Sequence, residues 1–330
     1  MFSKIKSKFK SKPTLYYAMS IAATWAGVNS LMGGIEIAHS NGIIPYLLWA
    51  VGNILACILF GIFAPMIPNL RRVFRSRAMK VIVGLLCVFQ VWISLNGIQA
   101  VYADTPLGSV FGQVFAYIIA AAYIIVLWKR GMIRNVLTDH ASWVGVYALI
   151  FALCVASFAL QGATPLTLGI EQSGVFTGLE KCILLIPGPF LYPYYFEILD
   201  YNDQNEDGTA KISVRKAFIG GGLLFGVYLL FAFALAFTTF GPIASIVKAV
   251  LITLIAISSL SSFLYSIYIS FGRKIGLGIN VAAVAAWQLL IPLGVMGVWT
   301  LMSTIRIYIV VAAIVIALCW HFAARKAVKE

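Results

Sequence analysis

The sequence predicts an all-α polytopic membrane protein, a single transmembrane domain of ten helices built as two five-helix halves in inverted orientation. Three observations predict it. First, 62% of the 330 residues are hydrophobic and only 11% are charged, more apolar surface than a soluble domain of this size has a use for. Second, the apolar residues fall into stretches of roughly twenty or more, the length that crosses a hydrocarbon core. Third, the first stretch of each half carries helix-breaking residues at its middle. Paired interruptions of this kind point to a secondary transporter with a midplane site.

On the length criterion the spans are 14–40, 43–67, 79–102, 108–128, 141–162, 174–200, 213–239, 243–271, 277–301 and 304–324. Residues 1–13 form a basic N-terminal segment, 14–162 the first repeat and 174–324 the second. The formal net charge of +13 would suit nucleic acid, but its distribution argues for a membrane. Lys4, Lys6, Lys8, Lys10 and Lys12 sit just before span 1. Further basic groups lie at Arg71 to Lys80, Lys129 to Arg134, Lys211 to Lys216, Arg273-Lys274 and Arg325 to Lys329. With both termini in the cytoplasm, these segments put 21 of the 24 basic residues on the cytoplasmic side, as the positive-inside rule requires. Only Lys181, Lys248 and Arg306 fall elsewhere. The expected location is therefore the inner or plasma membrane, in contact with lipid and with no nucleic-acid partner. The basic N-terminus lacks a short apolar core with a cleavage site, so no removable signal peptide is expected. Cys57, Cys87, Cys154, Cys182 and Cys319 lie in apolar spans without metal-like spacing and read as buried small hydrophobes.

An odd number of spans per half inverts the second half relative to the first. Span 1 holds Gly27, Asn29, Gly33 and Gly34, with Glu36 and His39 toward its far end. Each glycine costs a helix interior about 1 kcal/mol relative to alanine. Span 6 holds Pro187-Gly188-Pro189, and proline removes a backbone donor and clashes with the preceding turn. A break at mid-membrane frees backbone groups that must line a cavity or bind something. Carbonyls near Ala23 and Ala26 suit a hard cation, and the helix start near Gly33 to Ile35 suits an anionic or polar group. The other reading of the glycines is close small-residue packing.

Span 8 carries Ser258, Ser259, Ser261, Ser262, Ser266 and Ser270. Residues 259, 262, 266 and 270 share one helical stripe. Ser258, Ser259 and the Ile255 carbonyl, joined by the Ala23 and Ala26 carbonyls, make five oxygens for Na⁺. Alternatively, membrane serines bond the carbonyl one turn back. The solute candidates are Asn29, Ser30, Asn53, Gln90, Asn96, Gln99, Tyr192, Tyr194 and Tyr195, amides, a hydroxyl and aromatic faces suited to a small polar organic molecule. Glu36, Glu197 and Asp200 are candidates because intramembrane acids are costly. The polar run NDQNEDG from Asn202 to Gly208 is a loop too short to be a domain. With no nucleophile triad, P-loop or HExxH motif, an enzyme is not expected.

Span 1 (ATWAGVNSLMGGIEIAHSNG), followed by an apolar span ending PMIPNLRR, resembles the opening core helices of the sodium:solute symporter family. That family belongs to the amino acid-polyamine-organocation superfamily with the LeuT-type fold. ISSLSSFL in span 8 resembles the family's serine-pair helix, and GMIRNVLTD (Gly131 to Asp139) resembles its glycine and Thr-Asp run. The resemblance implies Na⁺ as the coupling ion, held by carbonyls of Ala23, Ala26 and Ile255 and hydroxyls of Ser258 and Ser259, with Asp139 on the cytoplasmic ion-release route. Arg130 stands where the family has a second glycine, and Ser142 where it has a glutamine. The resemblance runs in patches over about residues 20–275, and the chain looks like the family's ten-helix core without its usual extra leading and trailing helices. The function implied is Na⁺-coupled symport. A proton-coupled or uncoupled carrier and a transporter-like receptor that binds without transport are the alternatives.

Overall fold

The chain is helical throughout the described residues. The computed structural model describes residues 13–129, 132–162, 175–200, 213–237, 241–289 and 294–327. The basic run Lys4 to Lys12, the Asn202 to Gly208 loop, Arg130, Gly131 and the side chain of Asn29 lie outside them. The helices are α1 (Pro13–Trp25), α2 (Val28–Asn41), α3 (Ile43–Phe63), α4 (Leu70–Phe74), α5 (Arg77–Ala103), α6 (Gly108–Lys129) and α7 (Met132–Gln161). After these come α8 (Val175–Leu185), α9 (Pro193–Asp200), α10 (Val214–Ala234), α11 (Pro242–Phe271), α12 (Arg273–Ala286) and α13 (Gly294–Ala327).

Seven described helices are long and apolar enough to cross a membrane, or eight if the α8–α9 pair, bent by 60°, is counted as one span. Large apolar side chains point outward along these rods, among them Val110, Ile118, Phe151, Leu230 and Val311. A water-facing surface would not carry them in such continuous bands, so the protein is an integral, multi-pass membrane protein.

The differences from the expected spans have local causes. Span 1 is two short helices, because Ala26 and Gly27 are not helical. Span 2 ends at Phe63 rather than 67, just ahead of Pro65 and Pro68, since proline disfavours helix in the residue before it. Span 5 starts at Met132, nine residues earlier than hydropathy puts it. Asn135 and Asp139 lower the apolar average there, yet they are inside the protein. The turns from α2 to α3 and from α11 to α12 are single residues, Gly42 at φ 87° and Gly272 at φ 78°, a backbone region that excludes most other side chains. Four of the cysteines are buried, but Cys319 is exposed on the outside of α13.

Two groups of helices face each other. In one, α10 packs on α1 and α3, and α8 on α3; in the other, α11 packs on α5 and α12, and α5 on α6. α7 bridges them by touching α1 and α11. The first group is tied by rings: Phe60 meets Phe190, Tyr195, Phe196 and Phe218 at centroid distances of 4.9–5.7 Å. Its α3–α8 contact depends on small residues, as lipid-embedded helix pairs commonly do. A Cβ on Gly52 would sit 2.6 Å from the Cα of Cys182, and one on Gly178 would sit 2.8 Å from the Cα of Pro45. The obstacles are backbone atoms, which cannot rotate away. Gly52→Ala is therefore expected to cost about 1–3 kcal/mol and Gly52→Leu to abolish the folded yield. Gly33→Ala, with nothing within 4 Å of the new atom, should be neutral or stabilising. Melting temperature and monodisperse yield in detergent check the series.

Candidate functional site

The site is assembled at the two helix breaks. α1 stops at Trp25, and Gly27 takes an extended conformation (φ −71°, ψ 172°) before α2 begins. In an unbroken helix the Gly27 N–H would bond the carbonyl of Ala23, and the Ser30 N–H that of Ala26. Here the Gly27 N–H goes to Trp25 (3.0 Å) and the Ser30 N–H to Gly27 (2.9 Å). Both carbonyls expected to face a cation have thus lost their regular donors, in two residues that are fully buried.

The second break runs from Leu185 to Pro193. A short 3₁₀ turn, Gly188–Leu191, separates α8 from α9. Pro187, Pro189 and Pro193 provide no N–H, so Phe190, Tyr192 and Tyr195 bond only three residues back. The breaks touch each other. Gly188 lies under the Trp25 ring, so close that a Cβ there would fall 2.3 Å from Trp25 Cη2. Trp25 also meets Tyr192 edge-on at 5.7 Å, and the Tyr195 hydroxyl donates to the Ile21 carbonyl at 2.8 Å.

Beside the first break is a buried polar cluster contributed by four helices. Asp139 on α7 is fully buried and accepts from Ser20 of α1, from Ser258 (3.0 Å) and Ser261 (3.4 Å) of α11, and from Asn135 (3.4 Å) one turn back on its own helix. Ser20 also shares a 2.6 Å hydrogen bond with Tyr194 of α9. A turn further along, Thr24 bonds Ser262 (2.7 Å), and Asn135 donates to that same Ser262 oxygen (3.1 Å). Among the described residues no cationic side chain lies within 4.0 Å of Asp139.

The expected Ser258 and Ser259 pair therefore diverges. Ser258 turns to Asp139, while Ser259 donates to the Ile255 and Ala256 carbonyls, both at 3.2 Å, and lies 3.4 Å from Ser94. Ser259 is still beside the first break: a Cβ on Gly27 would sit 3.9 Å from its Oγ. The 259–262–266–270 stripe does not converge on one site. Ser259 faces the break, Ser262 the polar cluster, and Ser270 a separate cavity. The hydroxyls that act together are those of 258, 261 and 262. Ser20, Thr24 and Asn135 escape a sequence reading focused on span 8. Their signal is spacing, since Ser20/Thr24 and Asn135/Asp139 are i, i+4 polar pairs on otherwise apolar helices.

Of the solute candidates, Ser30, Asn53, Gln90 and Tyr192 line one cavity between the breaks, of about 40 Å³. Trp25, Trp49 and Phe263 wall it, and Arg306 of α13 reaches it from the side. Asn96 and Tyr195 are buried elsewhere, and Gln99 lies against α6 at Gly112. Tyr194 belongs to the Asp139 cluster. Glu36 is exposed. Glu197 accepts from Tyr265 at 2.7 Å and lines a second cavity of about 170 Å³ with Phe190, Arg75, Lys80 and Asp200. Asp200 pairs with Arg71 (3.3 Å) and Arg75. The second cavity thus reaches break 2 at Phe190 and Pro193, and Tyr192, stacked on Phe263 at 5.4 Å, lines the first.

Arrangement and burial together leave freed carbonyls at one break, hydroxyls and a carboxylate beside it, and a small aromatic-walled cavity between the two breaks. Compared with models of protein families and with curated proteins, the chain matches none.

Proposed function

We propose that this protein is a secondary active transporter that couples Na⁺ entry to symport of a small polar organic solute by alternating access. The observation that carries the reading is the pair of broken spans in contact with each other, with a cavity between them. Peptide groups left unpaired in lipid are tolerated where they line such a cavity, and two broken helices meeting at a shared site are the usual architecture of these carriers.

Ten crossings are supported by where the helix ends lie. Ser213 at the start of α10 bonds Thr14 at the start of α1 (3.3 Å), and Arg72 beside α4 stacks on Trp320 near the end of α13 (4.1 Å). The start of α5 and the ends of α9 and α11 share the second cavity. On that map α1 with α2 makes one crossing and residues 273–289 belong to another. The five-plus-five arrangement is supported by the pairing of helices: α3 with α8 has its counterpart in α10 with α1, and α5 with α6 in α11 with α12. The basic end, with Arg71, Arg75, Lys80 and Arg273, is assigned to the cytoplasm by charge.

Na⁺ is assigned to the first break, between the Ala23 and Ala26 carbonyls and α11 at Ser259, with Ile255 and Ser258 completing the set after a rotation of the Ser258 hydroxyl away from Asp139. An ion there joins α1 to α11 across the two helix groups. Solute and ion then raise each other's affinity by the same factor. The test is the melting temperature of the purified protein in Na⁺ against N-methylglucamine. At Na⁺ a hundredfold above its dissociation constant, the wild type gains about 2.7 kcal/mol, and Ser259→Ala is expected to lose most of it. Equal melting in both cations rejects Na⁺ coupling at this site.

A second reading is favoured by Asp139. A buried carboxylate with no cationic partner among the described residues calls for compensation, and a proton can balance it as well as a metal ion can. Uptake that follows a pH gradient and ignores Na⁺ would establish a proton-coupled carrier of the same architecture.

A further inference from the structure

Arg306 is the one basic residue in the final apolar span, and it does not reach the surface. Only 4% of it is exposed. Its guanidinium lies beside break 2, where a Cβ on Gly188 would sit 3.5 Å from Nη1. Guanidinium has five N–H donors. One, on Nη2, points to the carbonyl of Leu184 at a long 3.4 Å, and Nε has no hydrogen-bond partner among the described residues. No carboxylate among them is within 4.0 Å of it. Capping the carbonyl end of α8 explains one donor and leaves the charge itself unbalanced, and a buried unpaired charge is among the costliest arrangements a protein can hold.

The rest of the cavity has the same sign. Trp25 lines it with a buried indole N–H that also lacks a partner among the described residues. The first-turn N–H groups of α2, which helix geometry leaves without intrahelical acceptors, start at its edge beside Gly27. Among the described residues no acidic side chain lines it. Donors and a fixed positive charge converge on a space otherwise walled by the rings of Trp49, Tyr192 and Phe263, by Leu185 and by the neutral polar side chains of Ser30, Asn53 and Gln90.

We propose that the transported solute is a compact organic monocarboxylate, its carboxylate held by Arg306 and the Trp25 indole and its apolar body held among the aromatic rings. This rests on the reading of the cavity as a carrier's solute site. At about 40 Å³ the cavity holds little more than a water molecule or two, so the structure is a closed form and the solute enters as Trp25 and Tyr192 swing aside. Arg306 also lines a neighbouring cavity of about 10 Å³ with Cys87, Gln90, Gly188 and Tyr192.

The experiment is thermal-shift titration of the full chain in detergent with matched acids and amides: propionate and propionamide, benzoate and benzamide, phenylacetate and phenylacetamide. Chloride and sulfate serve as inorganic arms, and each titration is run in Na⁺ and in N-methylglucamine. The expected result is that at least one acid stabilises the wild type while its amide and the inorganic anions do not. Arg306→Gln should weaken that acid by roughly 30-fold or more, and Arg306→Lys, which keeps the charge and loses the fork, by less. Acid and amide binding alike, no acid binding, chloride or sulfate matching the best acid, or Arg306→Gln binding like the wild type would each overturn the proposal. The acid–amide comparison on the wild type decides the matter even if Arg306→Gln does not fold. Carboxylate binding through Arg306 that ignores Na⁺ would reject ion coupling and leave this proposal standing, whereas Na⁺-dependent binding of amides would do the reverse.

Discussion

Asp139→Ala is expected to abolish concentrative uptake and to cost about 3 kcal/mol or more of stability. The carboxylate is the shared acceptor for Ser20, Ser258, Ser261 and Asn135, contributed by α1, α11 and α7. Deleting it strands several buried donors at once, and each unsatisfied buried group costs about 1–3 kcal/mol. The hydroxyls can recover part of that by bonding back to carbonyls in their own helices, as Ser261 already does to Ser258 at 2.8 Å. Asp139→Asn separates folding from coupling. The amide keeps the shape, and serine hydroxyls can turn from donating to accepting, so the cluster can be satisfied without a charge. The asparagine variant should therefore melt close to the wild type. If a proton on this carboxylate drives transport, it should catalyse solute exchange but no accumulation. If Na⁺ at the first break drives it, accumulation should survive with weaker Na⁺ affinity. Proteoliposome uptake under separate Na⁺ and pH gradients distinguishes the two, and full wild-type behaviour of both variants would remove Asp139 from the mechanism.

How much of this was legible in the sequence depends on whether the cause is local. Both breaks were, because glycine and proline act on their own backbone at Gly27 and at Pro187-Gly188-Pro189. The outer half of span 1, however, starts at Val28 and not near Gly33 to Ile35: Gly33 and Gly34 lie inside α2, where helical neighbours on both sides hold them. Ser30, Asn53, Gln90 and Tyr192 were legible as polar or amphipathic residues in spans, which is all that a shared cavity requires of them. Direction was less so. Ser258 and Ser259 are adjacent, and adjacent positions on a helix point about 100° apart, so one faces α7 and the other the first break. Which way each faces is set by the neighbouring helices. Asp139 stood out only through a family resemblance, because hydropathy ended span 5 before reaching it. A buried acid looks like a loop residue until its four donors are in place, and three of those four come from other parts of the chain while the fourth, Asn135, comes from the extra helical turns. Arg306 gives no sequence signal for the same reason: only the fold brings break 2 to it and keeps it inside.

Gly188→Ala is expected to eliminate solute uptake while leaving a folded protein, and the loss should be partly relieved by shortening Trp25. The added methyl would be 2.3 Å from the Trp25 ring, closer than any real contact, so the ring has to move. Gly188 is in a 3₁₀ turn at ordinary negative φ, so the backbone itself accepts alanine. Trp25 is packed between Gly188 and Tyr192, and the space open to it is the solute cavity. Displaced into about 40 Å³, it excludes the solute and presses Tyr192 against Phe263. Trp25→Ala alone should cost about 3–5 kcal/mol through the void it leaves. In the double variant the methyl has nothing to strike, so the two costs should not add, with a coupling of about 1–3 kcal/mol as expected for residues in contact. Chemical-denaturation midpoints and proteoliposome uptake for the four proteins complete the cycle. Additivity to within about 0.5 kcal/mol would mean that Gly188 and Trp25 do not press on each other in the working protein. Movement of the first break would then have to reach the second through the Trp25–Tyr192 and Tyr195–Ile21 contacts, and the closest tie between the two breaks would be lost to the transport reading.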